Sequence, residues 1–519
     1  MKVKIKALIL ALVLAVTACG FAACDRGNEG GGADEYGNMR GSLNIMMFDG
    51  GYGIDFMKSI AAKYAKKNPR VKIKVSGTVT PSSEIALIES HTASNDLYFM
   101  IDNMCKQVDL ENLLDISEVY DYVGPEQEKP LKERMNSAYV DACRANDGKF
   151  YLLPWSNSQE GLVYNKTVMD EYFPNLQLPR TTEEMFETLD TVKANSNVYA
   201  FCYSGKNDYL PYLFLPWWAQ YEGLDAYWDY YEGYYRNESG ERVFSKHAEV
   251  VDQAGRLKAL EVLERLCKKS NGYQHRYTED MDFMKMQLAF LGHGYNQDEK
   301  PSLFSINGEW LENEMDFALE EKPQDIRFMK LPVLSAVIDK TPSIEDDATL
   351  RAVVDYCDGV SATLPDGVTA EDAAYIDSCR RMTSSVAQDH TVGVYSQSRA
   401  KELAIDFLKF LTTKEAGETY SNYFNGLTLP YGAYDSVTDD ASITPFLKSR
   451  FETKENCIPI FQKRTPVLVY RGGLAAYREK FGVKIFTGEL TAAQLVDKDN
   501  YFHDNWSQMV RQSGLGSLL

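Results

Sequence analysis

The stretch Leu43-Asn44-Ile45-Met46-Met47-Phe48-Asp49-Gly50-Gly51-Tyr52-Gly53 sets the fold class. Its short apolar run breaks at a Gly-rich turn. Next, Phe56, Met57, Ile60, Ala61 and Tyr64 recur on one face of a helix, which Asn68-Pro69 stops. Val71, Ile73 and Val75 alternate with Lys72 and Lys74, the period of a strand. A second helix is predicted over Ser83–Ser90, and Leu97–Ile101 is another apolar run, ending in Asp102-Asn103. Strand, helix, strand, helix, strand implies a parallel α/β sheet with right-handed crossovers. Ligands of such sheets sit beyond the carboxyl ends of the strands. Asp49 and Asp102 both follow a strand, so each either faces a ligand or caps the next turn.

Further along the chain, Lys149-Phe150-Tyr151-Leu152-Leu153-Pro154-Trp155 is followed by Gln159-Glu160-Gly161-Leu162-Val163-Tyr164-Asn165-Lys166. This segment resembles the extracellular solute-binding proteins of ABC transporters, in particular the maltose-binding-protein-like sugar binders. Other matches keep that family's order: Leu43–Lys67, Phe304-Ser305-Ile306-Asn307-Gly308-Glu309-Trp310, Phe328-Met329-Lys330-Leu331-Pro332, and the late helix within Ser396–Leu411. The resemblance spans about residues 42–435.

The resemblance implies two α/β lobes, a hinge and an interlobe ligand cleft closed by hinge bending. On this reading residues 42–157 and 332–412 form the first lobe, and 158–331 with 413–519 form the second. Phe328–Pro332 is read as the strand that returns to the first lobe. Leu350–Tyr356 and Val392–Tyr395 compete with each other as the returning strand in the long stretch 336–395. The implied function is capture of a carbohydrate, an oligosaccharide in particular, and its delivery to ABC permease subunits by a monomeric binder. The alternatives are a peptide or other non-sugar solute, and an exported glycan-active enzyme or adhesin.

Residues 199–235 hold ten Tyr, three Trp and two Phe, a density far above the 12% aromatic content of the whole chain. A pyranose presents a flat C–H face that an aromatic ring can stack on. Polar neighbours such as Asn207, Asp208 and Gln220 can bond sugar hydroxyls, although most of these rings suit an ordinary core. The expected ligand-binding residues are Trp310, at the family's stacking position, Trp155 at the hinge, and Trp217 or Trp218. To these are added Asp49, Asp102, Asn157, Ser158, Glu160 and Asp208.

At the start of the chain, Lys2, Lys4 and Lys6 precede the apolar run Ala7–Val16, too short to span a bilayer and typical of a secretion signal. Val16-Thr17-Ala18-Cys19-Gly20 resembles a bacterial lipobox. That implies a diacylglycerol on Cys19, with Cys24 as a weaker cleavage site. Residues 1–19 are then a lipoprotein signal peptide, and the Gly-rich residues 20–41 form a flexible tether. The expected location is the outer, extracytoplasmic face of the cell membrane, held by the lipid.

The chain has 519 residues, 44% apolar and 25% charged, with net charge −20. An acidic chain without a basic run does not suit nucleic acid. The nine Cys show no paired spacing, so buried thiols are expected rather than a disulfide framework. There is no Gly-x-Ser-x-Gly elbow, no phosphate-cradling P-loop and no His-Glu-x-x-His helix, so no catalytic or metal residue is assigned. No cofactor is expected other than the lipid. Glu160 and Glu309 would be the carboxylate pair of choice if the protein were a glycosidase.

Overall fold

The computed structural model describes residues 38–101, 108–145, 147–207, 209–294, 299–387, 389–432, 443–462, 482–496 and 501–519. Thirteen strands in these residues form two sheets and one ribbon. The first sheet uses β1 (Arg40–Phe48), β2 (Arg70–Thr78), β3 (Leu97–Met100) and β4 (Leu153–Pro154). The second uses β5 (Glu160–Asn165) and β6 (Tyr199–Cys202). The ribbon is β7 (Tyr234–Arg236) with β8 (Arg242–Phe244). Strands β9 (Ser302–Gly308), β10 (Ile326–Phe328) and β11 (Met382–Ser384) return to the second sheet. Strand β12 (Thr391–Val394) joins the first sheet, and β13 (Ile458–Ile460) the second.

The first sheet runs β2-β1-β3-β12-β4, with β1 parallel to both β2 and β3 and β12 antiparallel to β3 and β4. Helix α1 (Asp55–Lys67) buries Phe56, Met57, Ile60, Ala61 and Tyr64, the face predicted from spacing, and Asn68 closes it with its N–H on Tyr64 O. Helix α2 (Pro81–Glu89) follows β2, with Pro81 in its first turn, where a missing N–H costs nothing. The β1-α1-β2-α2-β3 order is thus the parallel α/β unit expected from residues 43–101.

The second sheet runs β13-β11-β5-β9-β6, and β10 pairs with the far end of β5. Its core includes helix α3 (Pro211–Glu222), in which every residue from Leu213 to Tyr221 is buried. Such a helix, apolar all round, lies inside a lobe rather than along its surface. The rings of residues 199–235 supply much of this core: Tyr203, Phe214, Trp217, Trp218, Tyr227, Tyr230 and Tyr231 are all buried there.

The assignment of segments to lobes differs from the sequence reading in three places. Phe328–Pro332 does not return to the first lobe, because β10 pairs antiparallel with β5 in the second sheet. Leu350–Tyr356 is helical and packs Leu350, Val353 and Val354 into the second core, together with Val333, Val337 and Ile376. The returning strand is β12, which covers most of Val392–Tyr395, so the second crossing comes after β11 and not at residue 332. The third difference lies in 413–431: helix α4 (Lys401–Leu411) is followed by helix α5 (Lys414–Tyr423), and Ala416, Tyr420, Leu427, Leu429 and Tyr431 all pack in the first core. A three-residue edge strand carries too little pattern to show which sheet it joins. Helix α6 (Pro445–Lys454) lies between the cores, with Phe446 in a cluster with Phe328 and Leu447 in the first core.

Cys143, Cys202, Cys267 and Cys379 are buried thiols, and Cys357 and Cys457 are half-buried thiols. No helix among the described residues is long and apolar enough to cross a membrane. The secretion signal, Cys19, Cys24 and nearly all of the tether fall outside the described residues.

Candidate functional site

Strand ends from both sheets converge where the chain crosses between lobes. After β4, Trp155–Gln159 leads into β5; after β11, residues 385–390 lead back into β12. The two crossings are stitched side by side. Trp155 N–H donates to His390 O (2.9 Å), Ser385 Oγ donates to Ser158 O (3.1 Å), and Val386 N–H donates to Ser158 Oγ (3.2 Å). Tyr139 of the first lobe bonds Ser385 Oγ through its hydroxyl (2.9 Å).

Two Gly-containing turns bring the lobes into contact. Gly51 sits at φ 62°, a left-handed conformation that favours glycine, and a Cβ there would lie 3.5 Å from Trp310 Cβ. Gly308 ends β9 beneath the Trp310 indole: a Cβ on Gly308 would lie 2.4 Å from that ring. Trp310 can lie flat on the strand only because residue 308 has no side chain. Around Trp310 stand Tyr52, Tyr209 and Tyr212, each with ring centroids 6.4 Å away and edge-on, and His390 at 6.5 Å. Trp310 is 8% exposed, so the lobes are closed over it. Asn313 Nδ2 donates to Gly51 O across the same contact.

A buried polar cluster lies beside these rings. Tyr52 donates its hydroxyl to Glu309 Oε1 (2.8 Å) and touches Ser156 Oγ (3.1 Å). Arg450 on α6 grips Glu309 Oε2 through Nε (2.8 Å) and Nη2 (2.6 Å), and Nη2 also reaches Asn157 O (2.8 Å). Both partners are almost fully buried, at 4% and 2% side-chain exposure. Lys454, one helical turn on, donates to Asn157 O and to Ser158 O. Its enclosure and the neighbouring Arg450 charge bring the ammonium down to about 7. Glu160 is fully buried at the start of β5, and among the described residues neither carboxylate oxygen makes a hydrogen bond of good geometry. Burial, followed by the Glu309 charge, pushes it up to about 8. A cavity of about 430 Å³ opens beside this cluster, lined by Arg134, Tyr139, Asn157, Thr428, Arg450 and Lys454 among others.

The structure brings together Trp310, Trp155, Asn157, Ser158 and Glu160 of the expected residues. Trp155 is fully buried; it packs near-parallel to Phe56 (6.4 Å), meets Tyr52 and His390 edge-on, and donates Nε1 to Met100 O (3.3 Å). Asn157 donates Nδ2 to Thr428 Oγ1 (3.2 Å). Asp49 is exposed on the turn after β1, with its N–H on Thr78 O (2.8 Å). Asp102 and Asp208 lie outside the described residues.

Trp217 and Trp218 are placed elsewhere. Both have 0% exposure in the second core, their indole N–H groups on Pro332 O (3.0 Å) and Gln253 Oε1 (2.7 Å). Neither has a ring contact with Trp310 among the described residues. The expectation that one of them stacks on ligand is therefore corrected: α3 is buried on all sides, and both rings are consumed by packing.

Tyr52, His390, Arg450 and Lys454 were not singled out from sequence. Tyr52 follows a Gly-Gly pair at a strand's carboxyl end, a signal that could have marked it. Arg450 and Lys454 share one helix face four residues apart, but nothing local tells that face from a solvated one. No group of acidic, His or Cys side chains among the described residues has the geometry to hold a metal ion.

The sequence model for bacterial extracellular solute-binding proteins matches residues 50–336. Among curated protein sequences none matches. Solved structures share the fold. RafE in complex with raffinose superposes with a TM-score of 0.52 at 13% identity, covering 92% of this chain and 99% of that one. A binding protein MsmE of Bacillus subtilis, in an open conformation, gives 0.54 at 12% identity, with 92% and 99% covered. The GacH receptor of Streptomyces glaucescens, solved unliganded and with acarbose, gives 0.54 at 12% identity, with 91% and 99% covered.

Proposed function

The chain belongs to the bacterial extracellular solute-binding proteins, and from that premise we propose that it captures a carbohydrate, an oligosaccharide in particular, and hands it to an ABC importer. The observation that carries this reading is the Trp310 indole, laid over Gly308 in the interlobe cleft and walled by Tyr52, Tyr209 and Tyr212. A flat aromatic face suits the C–H face of a pyranose. The neighbouring carboxyl, amide and hydroxyl groups suit its hydroxyls. Neighbours of the same fold solved with raffinose and acarbose support the reading.

Capture works by differential affinity. Tyr52 comes from the first lobe, and Glu309 and Trp310 from the second, so a ligand that touches both sides binds the closed form better than the open one. The permease subunits then read closure. The protein binds without turnover: Glu309, which a glycosidase would need free as acid, base or nucleophile, is neutralised by Arg450. The Cys19 diacylglycerol and the residue 20–41 tether hold the monomer on the extracytoplasmic membrane face. No metal or organic cofactor takes part.

Calorimetric titration with mono- and oligosaccharides, repeated on Trp310→Ala, tests this reading. Reversible binding of one glycan class, weakened at least tenfold in the variant and without release of products, supports it. Hydrolysis of the bound glycan, or binding of peptides alone, overturns it.

A further inference from the structure

Strand β5 opens on a carboxyl where packing alone would call for an apolar residue. Glu160 pairs in register with Gly308. It has no exposed surface, and among the described residues neither oxygen makes a hydrogen bond of good geometry, the Ser158 hydroxyl, the Val386 N–H and the Lys454 ammonium acting on it only from nearby. Burying such a group without a partner is costly. Of the nearby cations, Arg450 is bonded to Glu309, and Lys454 is bonded to two backbone carbonyls and reaches Glu160 through its charge alone.

The surroundings of Glu160 are aromatic and acidic. Trp310 lies over Gly308, the residue opposite Glu160, and Glu160 shares a void of about 10 Å³ with Tyr212. That is about the space of one water molecule. Glu314, on the helical turn after Trp310 and pushed above the usual carboxylate range by burial, acts with Glu160 on the Tyr209 hydroxyl. A carboxyl set among ring faces is what a cation needs: one group supplies charge, and the rings supply the negative face of their quadrupoles.

We infer that the captured solute carries a basic nitrogen, an aminated carbohydrate whose ammonium group seats on Glu160 among Trp310, Tyr209 and Tyr212. This rests on the carbohydrate reading and narrows it. An ammonium offers three N–H donors, and the two oxygens of Glu160 can accept them. The sugar's C–H face is left for Trp310. A neutral glycan leaves Glu160 protonated in the closed cleft, whereas an ammonium lets it ionise and pair.

The test is calorimetry on the purified protein with matched series: glucosamine oligomers of two to four units, the same oligomers fully N-acetylated, and spermidine as an amine without a sugar. The glucosamine series is expected to bind at least tenfold more tightly than its acetylated partner. Glu160→Gln, checked for unchanged circular dichroism, should abolish that preference. Equal or weaker binding of the free amines, with the acetylated series bound, overturns the inference and leaves the carbohydrate reading standing. Binding of spermidine with neither glycan series keeps the Glu160 seat and overturns the carbohydrate reading. Binding of the amines that survives Glu160→Gln undiminished, or no binding by any of the three probes, overturns the inference.

Discussion

Replacing Arg450 with methionine should cost the protein several kcal/mol, and the structure says why. The substitution fills most of the vacated volume but removes two N–H···O bonds to Glu309 and one to the Asn157 carbonyl. Glu309, 4% exposed, then keeps the Tyr52 hydroxyl and, among the described residues, no hydrogen-bonded cation. Breaking one side of a buried ion pair costs about 3–5 kcal/mol, because the other charge stays buried. Unfolding entropy is about 2.1 cal/mol/K per residue, so a body of about 480 residues loses about 3–5 °C in Tm. The double variant Arg450→Met/Glu309→Gln buries no charge and should recover most of that loss. Scanning fluorimetry at pH 7 on wild type, both single variants and the double variant completes the cycle. A single variant within 1 °C of wild type, or a double variant that falls by the sum of the two singles, refutes the claim that this pair is coupled and buried.

Three further outcomes are expected. Tyr52→Phe removes the first-lobe hydroxyl from Glu309, a bond to a charged group that contributes about 1.5–3 kcal/mol. The ligand-free protein should therefore show a larger radius of gyration in X-ray scattering, and an unchanged radius would contradict the role of this bridge in closure. Glu160, raised to about 8 in the folded protein, holds its proton more tightly folded than unfolded. Wild type should thus lose stability as pH rises from about 4.5 to 8 and level off above, by an amount of order several kcal/mol. Glu160→Gln lacks this slope, so its Tm advantage over wild type should grow between pH 5 and pH 8; a constant difference would contradict the buried, unpartnered placement. Trp218→Ala should lower stability by about 3–5 kcal/mol yet leave glycan affinity of the folded protein unchanged, and selective loss of affinity would return Trp218 to the cleft.

Much of the first lobe was legible because its signals are local. The α1 face repeats with helical period, and β2 alternates apolar residues with lysines. The placement of Trp310 between the lobes was legible from the Asn307-Gly308 turn and the family order. The rest depends on contacts distant in sequence. Trp217 and Trp218 sit in a dense aromatic run, and aromatic density does not separate a stacking face from a core. The apolar character of α3 on all sides does, and it points inward. The second crossing was misplaced because β10 is three residues long, and the apolar chain after it, Leu331, Val333 and Leu334, belongs to the second core. Arg450 finds Glu309 across 141 positions, and no local pattern announces such a pair. His390 and Tyr52 become neighbours only when two strand ends meet, with ring centroids 6.1 Å apart.

The central claim is that a glycan closes the two lobes over Trp310. The most direct test is a thermal-shift panel of mono- and oligosaccharides, neutral and aminated, on wild type and Trp310→Ala. A ligand at 100 times its Kd adds about 2.7 kcal/mol, or about 2–3 °C for a body of this size. Such a shift is expected for one glycan class and should be lost in Trp310→Ala. A shift of equal size in the variant, or shifts from peptides and none from any glycan, would contradict it.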